Sequence, residues 1–375
     1  MNFDNIRPYN DSEACQALGR VAASGYINAI SDYLYPGQDP AVLRSALKEV
    51  NGVDDFQSKV MYGAVKTIIE KTSDGLTYDG LEHFEGGKTY LMLSTHRDIV
   101  LDPALIQWVL KDNDMPLTEI AAGDNLISTQ LLEDLMRSNR MIKVVRSSNP
   151  REVYSSSIVL SQYLRERIHD RERPASIWIA HRNGRTKDGH DATEQGLVKM
   201  ISLSGEDDFV KNISELNIMP VAISYEIESC DLQKAIEVYI KRSTGSYQKK
   251  PGEDTQSIIY GIIQQKGRIH ISFCPPITAD EIAGSASYEK NDRYRHLAEI
   301  IDARHRAGFR KWPFNIAAAE LVKGEKSSDY KATAAFLSYA EKIELVPVRS
   351  TDSLKYYRKD GVHYVPKIIA EDLYI

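Results

Sequence analysis

The residues best able to do chemistry lie in Ser94-Thr95-His96-Arg97-Asp98-Ile99-Val100-Leu101-Asp102-Pro103. An apolar run, Tyr90–Ser94, leads into this segment and a helical pattern leaves it. A histidine at a strand-to-helix turn stands at the carboxyl edge of a sheet, where α/β proteins bind ligands. A carboxylate on one ring nitrogen holds the imidazole in one tautomer and frees the other nitrogen as a base for a hydroxyl proton. Asp98 and Asp102 are both placed to serve. The same spacing also fits a surface turn whose aspartate caps a helix. His-Arg-Asp opens a protein-kinase catalytic loop too, but that loop has asparagine five residues past its aspartate. Pro103 stands there instead, and Asp208-Phe209 runs into Val210 where a glycine is required. The kinase reading fails.

A second group is Ile179-Ala180-His181-Arg182-Asn183-Gly184-Arg185-Thr186-Lys187-Asp188-Gly189. Three cations, Arg182, Arg185 and Lys187, surround two glycines. Glycine lets backbone approach a ligand closely, and arginine's planar donors fit phosphate oxygens. Lys143 and Arg146, at the end of another apolar run, can join this patch. A solvated basic loop is the plainer reading. A third segment, Ile218-Met219-Pro220-Val221-Ala222-Ile223-Ser224-Tyr225-Glu226, reads as a buried strand with a packing role.

These groups need a scaffold. The first 75 residues read as helical, with Asp11 and Ser12 offering caps ahead of Leu18, Val21, Ala22 and Ile27. From about residue 76, short apolar runs alternate with helical patterns. The strand candidates are Tyr90–Ser94, Glu119–Ala122, Met141–Val145, Ser176–Ala180, Ile218–Ser224 and Arg268–Phe273. Helical patterns cover 103–111, 126–138, 151–168 and 191–202. Such alternation implies an α/β fold with a mainly parallel sheet flanked by helices. The expected organisation is an N-terminal helical subdomain over 1–75, an α/β domain over 76–290 and a mostly helical C-terminal extension over 291–375, ending in the strand-like Val362-His363-Tyr364-Val365-Pro366-Lys367. Gly308-Phe309-Arg310-Lys311-Trp312-Pro313-Phe314 mixes basic and aromatic residues; it suits a membrane interface but reads better as a packed corner between helices.

Composition sets the limits. With 42% hydrophobic and 27% charged residues, the 375-residue chain is of the folded globular kind. A net charge of −6 argues against a nucleic-acid binder. Cys15, Cys230 and Cys274 are isolated, so neither a disulfide framework nor a structural zinc is expected. The opening residues lack the pattern of a signal peptide, and no apolar run is long enough to span a bilayer. The expectation is a cytoplasmic protein that meets membrane, if at all, from the inner surface as a peripheral protein.

Taken in order, these segments resemble the glycerophospholipid acyltransferase superfamily. STHRDIVLDP is similar to its first block, MIKVVRSSN to its second, HRNGRTKDG to its third and IMPVAISYE to its fourth. EIAAGDNL, at 119–126, resembles the glycerol-3-phosphate and dihydroxyacetone-phosphate acyltransferase branch. The resemblance covers roughly residues 76–280. It departs twice. Five residues, not four, separate His96 from Asp102. In the third block, Arg182 or Asn183 stands where the family has glutamate. The resemblance implies an enzyme of phospholipid biosynthesis that transfers a fatty acyl group directly from acyl-coenzyme A or acyl carrier protein, with no other cofactor and no metal. The acceptor would be a phosphorylated glycerol or lysolipid. His96 would be the general base, and Asp102, or else Asp98, its orienting partner. Arg146 and Arg185 would hold the acceptor phosphate, with Arg182 and Lys187 as weaker candidates and Asn183 and Gly184 in the substrate-binding turn. A thioesterase or lipid hydrolase, and a non-catalytic module that binds lipid or carrier protein, are the rival expectations.

Overall fold

The computed structural model describes residues 2–323 apart from Ser128 and Asp188, and beyond them residues 329, 331, 332, 334, 335 and 338 and the segments 345–349, 354–358 and 363–364. Five helices come first: α1 (Asp11–Ala23), α2 (Ile27–Leu34), α3 (Pro40–Lys48), α4 (Val53–Phe56) and α5 (Tyr62–Thr72). The cap of α1 is Asn10, one residue before the expected pair. Its side chain accepts from Glu13 N at 2.9 Å, and Glu13 accepts from Asn10 N at 2.8 Å, a reciprocal box that satisfies two orphan donors. Asp11 instead reaches across to Val53 N at 3.0 Å. Leu18, Val21, Ile27, Leu43, Leu47, Phe56 and Val60 bury a separate small core among these helices.

The α/β region follows as β1 (Leu76–Asp79), β2 (Leu91–Ser94), α6 (Leu101–Asp112), β3 (Glu119–Gly123), α7 (Gln130–Ser138), β4 (Met141–Val144), α8 (Pro150–Ile168), β5 (Ile177–Ala180), α9 (Gln195–Ile201), α10 (Phe209–Ser214), β6 (Ile218–Tyr225), α11 (Asp231–Thr244), α12 (Glu253–Ile263) and β7 (Ile269–Phe273). Then come α13 (Ala279–Ala286), α14 (Asp292–Gly308) and α15 (Pro313–Lys323), and a small antiparallel sheet of β8 (Leu345–Arg349), β9 (Leu354–Arg358) and β10 (His363–Tyr364). The strands β8 and β9 are a departure from the mostly helical end expected.

The large sheet has seven strands in the order β1-β7-β6-β2-β5-β3-β4. Five of them, β6, β2, β5, β3 and β4, run parallel. β7 pairs antiparallel with β6, and β1 runs parallel to β7. Pro220 sits at the end of the β6–β7 ladder, where its missing N–H leaves no gap; its carbonyl accepts from Cys274 N at 2.9 Å. Alternate residues of each strand feed opposite faces. Leu91, Leu93, Ile177 and Ile179 pack toward one core with Ile142, Leu164, Val198 and Ile301. Tyr90, Met92, Trp178, Met219 and Val221 pack toward the other with Val65, Leu105 and Val109. β2 lies at the centre between β5 and β6, so its carboxyl end is flanked by strand ends on both sides. The Gly308–Phe314 segment is a packed corner: Trp312 and Phe314 are buried, Arg268 lies over the Trp312 ring at 4.5 Å, and Arg97 lies over Phe309 at 4.8 Å.

Candidate active site

His96 follows β2 by two residues, at the centre of the parallel edge. Its Nδ1 lies 3.0 Å from Asp102 Oδ2. That oxygen also accepts the backbone N–H of Arg97 at 2.6 Å and of Asp98 at 2.9 Å. With two donors already on Oδ2, the hydrogen of the third bond comes from the ring. Nδ1 is therefore the protonated nitrogen, and Nε2 carries the free lone pair. Tyr225, at the end of β6, donates to Asp102 Oδ1 at 2.9 Å. Asp102 is fully buried, while the His96 side chain keeps 14% of its surface exposed, with Trp178 edge-on to the ring at 5.9 Å. The extra residue in this turn is absorbed by folding Asp102 back from the first turn of α6 onto the chain that precedes it.

Asp98 takes a different position from the one expected of an orienting partner. Its Oδ1 accepts from Val100 N at 2.9 Å and Leu101 N at 2.8 Å, and Oδ2 accepts from the Ser229 hydroxyl. It caps the entry to α6. A carboxylate bound to those backbone donors faces the helix end rather than the ring.

The second group forms a loop closed on itself. Thr186 N donates to the His96 carbonyl at 2.9 Å, tying the loop to the histidine turn. Gly184 is left-handed at φ +77°, which favours glycine. Arg185 is buried to 8% exposure, and its Nη1 has no hydrogen-bond partner among the described residues. A buried guanidinium donor without an acceptor is costly unless an anion supplies one. The other candidates are already engaged. Arg182 donates to the His190 carbonyl at 2.8 Å and closes the loop. Lys187 is paired with Glu237; burial above all pushes its ammonium below the usual lysine range, and Glu237 opposes this. Asn183 Oδ1 accepts from Arg146 Nη1 at 2.7 Å, so its carbonyl holds Arg146 rather than facing open space. Arg146 is exposed and anchored through its own N–H to Asp124 at 3.0 Å. Lys143 turns away to Glu133 at 3.2 Å. The structure thus pairs His96 with Asp102, ties the Arg185 loop to the histidine turn by the Thr186–His96 backbone bond, and attaches Arg146 through Asn183. Arg182 and Lys187 serve the loop itself.

Beneath this edge lies a buried ionic layer. Arg97, with no exposed surface, reaches Asp191 at 3.2 Å and Glu228 at 3.4 Å. Lys234 pairs with Glu228 and donates to the Arg97 carbonyl at 2.8 Å. His181, also fully buried, bonds Asp191 Oδ1 through Nε2 at 2.6 Å. Burial pushes the imidazole below its usual range, while Asp191 opposes the shift. Burial alone would raise the Asp191 carboxyl, but His181 and Arg97 outweigh it and hold it well below the usual range. Tyr225, Asp191 and Glu228 were not legible as site residues. Tyr225 ends the strand read as packing only, and the other two occupy loops without a motif.

A histidine with a buried carboxylate partner and a buried arginine thus share the carboxyl edge of a mainly parallel sheet. An Acyltransferase family model matches residues 75–224. Human dihydroxyacetone phosphate acyltransferase is 21% identical over 68% of this chain and 38% of its own length. The same enzyme from Bos taurus is 22% identical over 78% of this chain and 43% of its own length. The matched part of this chain thus spans about two fifths of those relatives. The crystal structure of the 1-acyl-sn-glycerophosphate acyltransferase of Thermotoga maritima overlaps 79% of this chain and 94% of its own, at 10% identity and a TM-score of 0.41; a likeness so low carries no weight. The matched region holds the first three blocks and most of the fourth, in order, so over residues 75–224 the chain is similar to acyltransferases.

Proposed function

We propose that this protein is a glycerolipid O-acyltransferase that moves a fatty acyl group from a thioester to a hydroxyl of a glycerol-phosphate-type acceptor. One observation carries the reading: the loop holding the buried, unpartnered Arg185 is bonded directly to the carbonyl of His96, whose Nε2 is left free by Asp102. Base and anion site are thus built into one rigid edge. His96 Nε2 takes the proton of the acceptor hydroxyl as its oxygen attacks the thioester carbonyl, and the thiolate leaves. Asp102 supports the imidazolium that forms. Such base assistance is worth about 10²–10⁴-fold in rate. Arg185 and Arg146 hold the phosphate, and Arg185 offers the planar fork. The donor is acyl-coenzyme A or acyl carrier protein. The relatives' names support dihydroxyacetone phosphate among the acceptors. No described helix is long and apolar enough to cross a membrane; lipid is met at a surface.

The test is purified protein with palmitoyl-coenzyme A or palmitoyl carrier protein, offered dihydroxyacetone phosphate, glycerol 3-phosphate or 1-acyl-glycerol 3-phosphate, with products read by mass spectrometry. An acylated acceptor is expected, and His96→Ala should lower its rate by about 10²-fold or more with an unchanged melting temperature. Fatty acid released equally with and without acceptor would instead identify a hydrolase.

A further inference from the structure

The buried face of α14 carries Tyr294, Leu297, Ala298, Ile301, Asp302 and His305 at helical spacing. The last two are polar, on a stripe that otherwise packs against the sheet. His181, the residue after β5, comes down between them. The His181 and His305 rings meet edge to face at 4.7 Å, and both are fully buried.

Each imidazole has its tautomer set by the partner of Nε2. His305 Nε2 donates to the Leu93 carbonyl at 2.9 Å, so its Nδ1 is a bare acceptor. That Nδ1 has no hydrogen-bond partner among the described residues, and it points toward Asp302 Oδ1 at 3.9 Å. His181 Nε2 engages Asp191 at 2.6 Å, and its Nδ1 lies 4.0 Å from the same Asp302 oxygen. Thr193 steadies that oxygen, donating its N–H at 2.8 Å and its hydroxyl at 2.5 Å. The hydroxyl has one proton and gives it to Asp302, which leaves His181 Nδ1 at 3.0 Å from Thr193 Oγ1 without a hydrogen of its own. His305 Nδ1 is thus an unpartnered buried acceptor beside Asp302 Oδ1 and His181 Nδ1, and the three atoms lie within 4.8 Å of one another. A buried acceptor without a donor is costly, and the Asp302 carboxylate beside it adds an unneutralised charge. A cation among them gives His305 Nδ1 a partner and counters the Asp302 charge.

We propose that His181 Nδ1, His305 Nδ1 and Asp302 Oδ1 bind a divalent transition-metal ion, zinc by preference, that staples α14 to the loop carrying Arg185. Two imidazoles and one carboxylate suit zinc. Asp191 and the Leu93 carbonyl are the outer partners that orient metal-bound histidines. Zinc holds such ligands at about 2.0–2.2 Å, so the donors, which now lie 3.9 Å and 4.0 Å from the shared Asp302 oxygen, draw together on binding. Its role is structural: the site lies on the α14 face of the sheet, while His96 opens at the edge. The ligands come from segments more than a hundred residues apart, which is why no local spacing announced them.

The experiment uses untagged full-length chain purified without chelator and analysed for metals by mass spectrometry, then stripped and titrated with Zn²⁺ and Co²⁺. About one zinc per chain is expected, with visible cobalt absorption after exchange and a higher melting temperature on reloading. His305→Ala and Asp302→Asn should lower zinc content by about tenfold or more. Two results would overturn the proposal. One is stripped wild-type protein that takes up neither ion and keeps its melting temperature when they are added. The other is stoichiometric metal that survives in a folded His305→Ala variant. All readouts are of metal and stability, so they stand whether or not acyl transfer is observed.

Discussion

The Tyr225 hydroxyl, at 2.9 Å from Asp102 Oδ1, occupies the one face of that carboxylate that the backbone leaves open. Burial, with Asp102 beside it, pushes the phenol well above its ordinary range, so it remains a donor throughout the working pH. Tyr225→Phe removes the bond and leaves a buried oxygen short of a donor, at about 1–3 kcal/mol. If about 1.4 kcal/mol of that falls on the transition state, kcat drops about tenfold. The acceptor KM should be unchanged, because Tyr225 acts through Asp102 and not on the phosphate. A KM that rises while kcat holds would refute this positioning role. His96 and Asp102 were legible because turn and helix start are contiguous in sequence. The engagement of Arg182 and Lys187 was not, since Lys187's partner Glu237 lies 50 residues away. Nor could the choice between Asp98 and Asp102 be made from spacing. It is decided by which carboxylate the α6 backbone captures.

Helix α12 packs so closely on the histidine turn that a Cβ at Gly261 would lie 2.3 Å from Asp98 Oδ2 and 3.3 Å from Ser229 Oγ. Gly261→Ala should cost about 1–3 kcal/mol by overpacking, read by urea unfolding, and should lower activity because the displaced carboxylate caps α6. The C-terminal end of α12 leads into Lys266, a buried ammonium that donates to Thr72 Oγ1 at 3.0 Å and is pushed down to about 8 by burial. Its folded value lies below the unfolded one, near 10.4. Between these values the unfolded chain binds more protons, so this group's contribution to stability rises with pH. The stability of wild type minus that of Lys266→Met should therefore grow from about pH 8 toward pH 10; a flat difference would show that Lys266 stays charged when folded. All six apolar runs proposed as strands are strands. β1 escaped notice because this edge strand alternates half-buried and exposed residues without an apolar run. The reversed direction of β7 was beyond reach, since an apolar run reads alike in either sense.

Across the whole molecule, Arg97 ties together segments that the chain order keeps apart. It leaves the β2 turn, meets Asp191 from the loop after β5 and Glu228 from the loop after β6, and lies beneath Phe309 at the end of α14. All three charged groups are buried. Such a layer adds little net stability over an apolar one of equal volume, but breaking it strands charges that cannot reach water. Arg97→Met should therefore destabilise the fold by about 3–5 kcal/mol, a large part of a typical reserve of about 5–15 kcal/mol. Glu228→Gln added to it should cost less than its own single effect, because the Arg97–Glu228 attraction it would remove is already gone. Coupling of this kind is the mark of residues sharing one network. Urea unfolding of wild type, both single variants and the double variant measures it. If the two losses simply add, Arg97 and Glu228 act independently, and the histidine turn and the β6 loop are held by apolar packing instead of by their shared charge.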